Sequence, residues 1–331
     1  MNLTEGYETF GLVIDVLDLI LSIFSISLNL LVSHILVRRL GLTQTDTVVS
    51  FILCILDFIY SFYSIISIAT LWSTSYHVLI ASDTYCQFNG AFIIAIASST
   101  VDIVMILGLL RCLAICYNRT YSIKTYTIIS ILFICLNIAL SITSFTHETF
   151  SIYPSLKYCG YKPHSYMANI ILYVTGTKEG ICAVLIVFCY SRIACHYYSY
   201  LKELRKDSNK FASKFDPQQS TDQTKIATNS QLILDYNVVE KSVNTSVKKI
   251  YIIIAIYLIE FMVIIGVQTT YKSMEALPHP ILDNILCLFL NCIPVTNPLF
   301  ILFFHDETNH ELQALLALIG FKFSKKLNSS S

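Results

Sequence analysis

Asp57, Asp102, Lys178, Glu179 and Glu260 each lie inside a long apolar stretch, and Arg111 lies near the end of one. Charges in such surroundings are costly, so they are paired, hydrogen-bonded or functional. The chemistry they offer is charge pairing and ligand binding. No His-Glu-x-x-His pair and no Gly-x-Ser-x-Gly elbow occurs, and the eight histidines are scattered. That leaves no recognisable zinc-hydrolase or serine-hydrolase centre, so the expectation is a protein that is not an enzyme. Lys178 and Glu179 project about 100° apart on a helix and cannot share a face. Glu179 and Tyr190, about three turns apart, do share one. Two acids are candidate partners for Lys178, Asp102 and Glu260; a contact with a ligand is the alternative reading.

The elements that must hold these groups are read from hydropathy. Of the 331 residues 55% are hydrophobic and only 13% charged, against about 25% charged in a soluble domain. Seven apolar blocks stand out, at 12–37, 47–71, 87–115, 126–145, 166–190, 250–270 and 281–304. Each is about 20 residues or longer, enough to cross a ~30 Å hydrocarbon core as a helix. A barrel would show alternating segments of roughly ten residues, and in lipid the helix is the other way to satisfy every backbone group. The fold class expected is an all-α, seven-transmembrane helix bundle. The formal charge is zero, so no net field favours nucleic acid as a partner.

Lys and Arg set the orientation. Arg38, Arg39, Arg119 and Lys124 flank the first-to-second and third-to-fourth links, ten basic residues crowd the region from Arg192 to Lys249, and Lys322, Lys325 and Lys326 sit in the tail. The opposite side carries chiefly Lys157, Lys162 and Lys272. The expected layout is an extracellular N-terminus at 1–11, a membrane domain at 12–304 with a third cytosolic loop at 202–245, and an amphipathic helix and cytosolic tail at 305–331. In the tail, Leu312, Leu315, Leu316 and Ile319 recur at helical spacing, as suits a helix lying on a membrane surface. No basic leader precedes the first block, which reads as a signal anchor. Asn2 heads the sequon Asn2-Leu3-Thr4 on the outer side, a candidate glycosylation site. Of eleven cysteines, only Cys86 and Cys159 fall outside the spans and their cytosolic ends. In an oxidising exterior they are expected to pair and to pin the intervening loop over the bundle; two free thiols is the alternative.

Several motifs, in order and at consistent spacing, resemble those of the rhodopsin-like (family A) G-protein-coupled receptors. Asn29 with Val32 matches the first-span asparagine motif, and Leu53 with Asp57 the second-span Leu-x-x-x-Asp. Cys86-Gln87-Phe88-Asn89-Gly90 looks like the start of the third span, and counting from Cys86 lands the family arginine on Arg111. Cys159-Gly160, Tyr190 and Asn297-Pro298 match the loop cysteine, the fifth-span tyrosine and the seventh-span Asn-Pro motif. The likeness covers Asn29 to about Ile319. Departures are equally plain. Leu110 and Cys112 flank Arg111 in place of the family's Asp and Tyr, Phe261 stands for the sixth-span Trp and Val263 for its Pro, Cys182 replaces the fifth-span Pro, and Ile301 the Tyr after Asn297-Pro298. Asn291 takes the place of the retinal lysine, which excludes the usual Schiff base, and Ile93 that of the amine-anchoring aspartate. Trp72, the only Trp, reads as an interfacial anchor.

The resemblance implies a plasma-membrane receptor for a small-molecule or peptide ligand that couples to a cytosolic heterotrimeric G-protein. It assigns Arg111, Tyr190, Asn297 and Pro298 to activation. Asn29, Asp57, Thr100 and Asn297 are expected to converge on a polar core, either a hydrated network or a sodium site; Ile293 leaves the latter's cage incomplete. The ligand site is expected under the Cys159 loop, lined by Ile93, Ile94, Ile96, Lys178, Glu179, Phe261 and Asn291. With no acid at Leu110 or Val243, Arg111 is expected to be weakly restrained. A small-solute transporter or channel is the alternative function.

Overall fold

A computed structural model describes residues 3–214, 247–260 and 277–304, with residues 241, 243–245, 263, 266, 270, 308 and 311–313. Asn2, Phe261, Leu315, Leu316 and Ile319 lie outside the described residues, as do most of the 202–245 loop and of the tail. Helix α1 (Leu3–Ile35) runs into a π turn at Leu36–Leu40 and is followed by α2 (Thr45–Ser73), the short α3 (His77–Ala81), α4 (Asp83–Tyr117) and α5 (Ile123–Thr146). Strands β1 (Phe150–Ile152) and β2 (Cys159–Tyr161) form an antiparallel hairpin with Phe150 opposite Tyr161 and Ile152 opposite Cys159. Then come α6 (Tyr166–Lys214), a helical run over 247–260, here α7, and α8 (Pro280–Phe304).

Among the described residues six helices are long and apolar enough to cross a membrane. Their outward faces carry large apolar side chains such as Leu132, Val184, Ile181, Ile128 and Ile20, all exposed, while Asp57, Asp102, Asn137, Asn291 and Asn297 are buried. An apolar belt of that extent belongs against lipid, so the chain is a multi-pass membrane protein. The sixth predicted block, 250–270, is helical where it is described.

Local signals place the helix ends. Ser82 caps α4 by accepting the Tyr85 amide at 3.2 Å, and Ser122 caps α5 by accepting that of Thr125 at 3.3 Å; each satisfies a free first-turn donor. Asn118 ends α4 in the left-handed region, φ 50°, which Asn tolerates. Three features differ from the sequence reading, the first being helix α1, which starts at Leu3 within the stretch expected to precede the first span. Helix α6 continues to Lys214, well into the predicted loop, because Leu201-Lys202-Glu203-Leu204-Arg205-Lys206 are strong helix formers. The hairpin was not expected either; three-residue strands are too short to show an alternating pattern.

Helix α4 is central. It packs against α2, α5, α6 and both strands, and most of it is buried. Helices α1 and α8 pack on each other and on α2. One apolar core, including Leu53, Ile103, Leu107, Ile186, Tyr190, Tyr257 and Ile301, fills one half of the bundle. A smaller one, centred on Phe150, Leu79 and Ile171, sits beneath the hairpin.

Candidate functional site

The two ends of the bundle are built differently. At the hairpin end, Cys86 of α4 and Cys159 of β2 form a disulfide. The residues after Cys86 act as backbone surrogates for the hairpin. Gln87 gives its Nε2 to the Phe150 carbonyl at 2.9 Å and accepts the Phe150 amide at 3.0 Å, and Asn89 accepts the Cys159 amide at 3.1 Å. Gly90 lets the hairpin approach, since a Cβ there would stand 2.7 Å from the Phe150 ring and 2.8 Å from the Cys159 carbonyl.

The hairpin turn also grips α8 and α1. Asp283 accepts the Ser155 amide at 2.8 Å and the Tyr158 hydroxyl at 2.5 Å. Burial first, then neighbouring Cys287 and Asp283, hold the Tyr158 hydroxyl well above its ordinary range, so it remains a donor. Lys157 pairs with Asp15 at 2.6 Å, lies 3.8 Å from Asp18, and donates to the Gly11 carbonyl at 3.2 Å. Asp15 also accepts from the Tyr76 hydroxyl and, at 3.1 Å, from the Trp72 indole. Trp72 is thus held by a specific partner at the site where an interfacial anchor was expected.

At the opposite end lies Arg111. Its guanidinium meets the carboxylate of Asp46, in the first turn of α2, at 3.3 and 3.4 Å, and the Tyr190 hydroxyl at 3.5 Å. The expectation of an arginine without an acidic partner is corrected: α2 supplies the acid that Leu110 and Val243 lack. The α2 N-terminus also favours a negative charge at Asp46.

Between the ends, Asn297 gives Nδ2 to both oxygens of Asp57, at 3.2 and 3.1 Å, and its Oδ1 accepts the Tyr257 hydroxyl at 2.8 Å. Thr100 reaches Asp57 at 3.5 Å. Asn29 does not join them. Its Nδ2 goes to the Ser25 carbonyl and hydroxyl and, at 3.0 Å, to the Pro294 carbonyl, which Ser25 also contacts at 2.8 Å. The reason is Pro298. It has no N–H, so the carbonyl four residues earlier lacks its helical donor, and α1 provides two. As arranged, the Asp57 cluster does not fit a sodium ion: the carboxylate faces amide and hydroxyl donors, and the Asn297 oxygen that a cation would need accepts Tyr257. Among the described residues no group of His, Cys, Asp and Glu is arranged to hold a metal.

Lys178 selects Asp102 rather than Glu260. Its ammonium lies 2.7 Å from Asp102 and donates to Asn137 at 2.9 Å, and Asn137 donates to Asp102 at 2.7 Å. This closed triad ties α4, α5 and α6 together. Glu260 accepts from Thr296 at 3.3 Å. Glu179, on the other side of the α6 ridge, accepts from the Ser98 hydroxyl.

Ile93, Ile94, Ser98 and Glu179 line one cavity, roofed by Tyr158 and the Cys159–Gly160 strand; it holds about 850 Å³, open mouth included. Lys178 is turned away from it into the triad, and Ile96 packs on the main core. Asn291 lines a second cavity of about 540 Å³ between α1, α2 and α8, shared with Ile93 and with Asp15, Asp18 and Lys157. The groups not anticipated are Asp15, Asp18, Asp46, Asn137, Tyr257 and Asp283. Asp15 and Asp18 at i, i+3 were the readable signal, because that spacing puts both on one helix face. Compared with known proteins, the chain matches no family model and no curated protein.

Proposed function

We propose that the protein is a receptor of the rhodopsin-like type, binding a small ligand in the cavity under the hairpin and passing the signal to a heterotrimeric G-protein at the Arg111 end. The observation that carries this reading is that one helix serves both places. Helix α4 contributes Ile93, Ile94 and Ser98 to the cavity and, eighteen residues after Ile93, presents Arg111 between Asp46 and Tyr190. Ile93 and Arg111 are about 27 Å apart along the helix.

The ligand performs its work by differential binding to two helix arrangements, with no bond made or broken. Glu179 and Ser98 offer polar anchors in an otherwise largely apolar wall, which suits a small organic molecule. At the other end, Arg111 exchanges Asp46 for a cytosolic partner. The Tyr257–Asn297–Asp57 chain shares the core with Tyr190 and adjusts with it.

The test is nucleotide exchange on a purified heterotrimeric G-protein by the reconstituted full chain, screened against a ligand panel. A ligand-dependent rise that Arg111→Ala removes is the expected result. With an agonist in hand, Glu179→Gln should weaken potency at least about tenfold, while Asn291→Ala, whose side chain lines the second cavity, and lipid-facing Ile131→Ala should shift it far less. Solute flux in proteoliposomes with no stimulated exchange would replace this reading by the transporter.

A further inference from the structure

Lys178 and Glu179, neighbours on α6, face two ways, and so do Ser98 and Ser99 on α4. Glu179 accepts from the Ser98 hydroxyl and lines the cavity under the hairpin. The Lys178 ammonium lies instead in the seam of α4, α5 and α6, 2.7 Å from Asp102 and 2.9 Å from the Asn137 side-chain oxygen. Those acceptors are themselves fixed. Asp102 is fully buried and accepts from Asn137 at 2.7 Å and from the Cys182 thiol at 3.3 Å. Asn137 also donates to the Ser99 hydroxyl at 3.2 Å. Lys178, Asp102 and Asn137 do not line the cavity, and among its described lining residues Glu179 alone has a charged side chain. Two carboxylates thus share one ammonium, and that ammonium is committed to the carboxylate outside the cavity. Charges are felt strongly in a low-dielectric bundle, so the cavity keeps a negative potential. Tyr153, Tyr158 and Tyr161 in its roof add aromatic faces, which attract cations.

We infer that Asp102, supported by Asn137, determines the charge class of the ligand without touching it: by drawing the Lys178 ammonium into the seam it reserves Glu179 for a cation, so the ligand is an organic ammonium. This rests on the cavity under the hairpin being the ligand site, and it does not depend on what the chain couples to. Without the Asp102 charge, Glu179 is the one carboxylate of the group left to balance Lys178. The net negative charge beside the cavity is then gone, and a cation loses its advantage over a neutral or anionic ligand of the same shape. Asp102 acts here through Lys178, as a positioning residue.

Binding of benzylamine, benzyl alcohol and phenylacetate to the purified full chain in a neutral detergent, measured by saturation-transfer NMR with no G-protein present, tests this. The native chain should prefer benzylamine to phenylacetate at least about tenfold, with the alcohol between them. Asp102→Asn should lower that preference at least about tenfold, and adding Lys178→Met should bring it back to within about twofold of the native value, since Glu179 is again the one charge of the group. Damage to packing alone would not be reversed in this way. The double variant removes the buried ion pair whole, which proteins tolerate. If Asp102→Asn does not fold, the double variant serves by itself: a preference kept within about twofold shows that Lys178 does not reach the cavity, and a displaced one overturns the inference. No cation preference in the native chain, or one that Asp102→Asn leaves unchanged, overturns it too. Glu179→Gln separates the two readings. A preference that persists there puts the ligand elsewhere and removes the cavity reading with the inference, while one that vanishes there yet ignores Asp102→Asn overturns the inference alone.

Discussion

The hairpin end is fastened by a covalent tether as well as polar ties, and Arg111 at the other end by polar contacts. At the first, a disulfide, two side-chain amides, Asp283 and the Lys157–Asp15 bridge join β1 and β2 to α4, α8 and α1. At the second, Arg111 is held by Asp46 and Tyr190 at distances of 3.3 to 3.5 Å. The contrast teaches where motion is inexpensive. A roof tied to three helices keeps its shape whatever lies beneath it, while a non-covalent pair with Arg111 and Asp46 3.3 Å apart can exchange one partner for another.

Breaking the stronger side should cost most. Cys86→Ser and Cys159→Ser should each lower unfolding stability in detergent by about 2–5 kcal/mol. The double variant should be no worse than either single one, because both remove the same tether; additive losses would refute it. Gly90→Ala should cost less, about 1–3 kcal/mol, by pushing Phe150 and the Cys159 carbonyl away; an unchanged melting temperature would show that the hairpin is loosely seated. Asp46→Asn, which leaves the buried Arg111 guanidinium without its charge partner, should cost about 1–3 kcal/mol and raise ligand-independent nucleotide exchange, and Arg111→Ala should abolish that exchange. Equal basal exchange in Asp46→Asn and the unaltered chain would remove the functional half of the comparison.

At the hairpin end the cysteine pair and the loop it pins were legible in the sequence, while the two strands and their ties to Asp15 and Asp283 were not. Cys86 and Cys159 stood out because every other cysteine falls in or beside an apolar block. Arg111 was placed by counting from Cys86, but its partner was not, since Asp46 sits just before the second block and meets the arginine only through tertiary packing, 65 residues away in the chain. Asp15 and Asp18, at i and i+3, share one helix face, but they lie in an apolar block whose hydropathy reads as a membrane anchor and does not single them out. The choice of Asp102 over Glu260 by Lys178 depends on how α4 and α6 rotate against each other, which hydropathy does not fix. The placement of Asn29 was wrong for a reason the sequence does contain: Pro298 leaves the Pro294 carbonyl without its amide.

That carbonyl has a consequence for biogenesis. Its donors, Ser25 and Asn29, lie 269 and 265 residues earlier in the chain. At an elongation rate of about 5–20 residues per second, the first helix waits tens of seconds in the bilayer before the last one is made. During that interval Ser25 and Asn29 are polar groups without their final acceptor, and Asp57 lacks Asn297. Nascent chains truncated before α8 should therefore linger with chaperones that recognise exposed intramembrane polarity, and release should follow insertion of the Pro294–Pro298 turn.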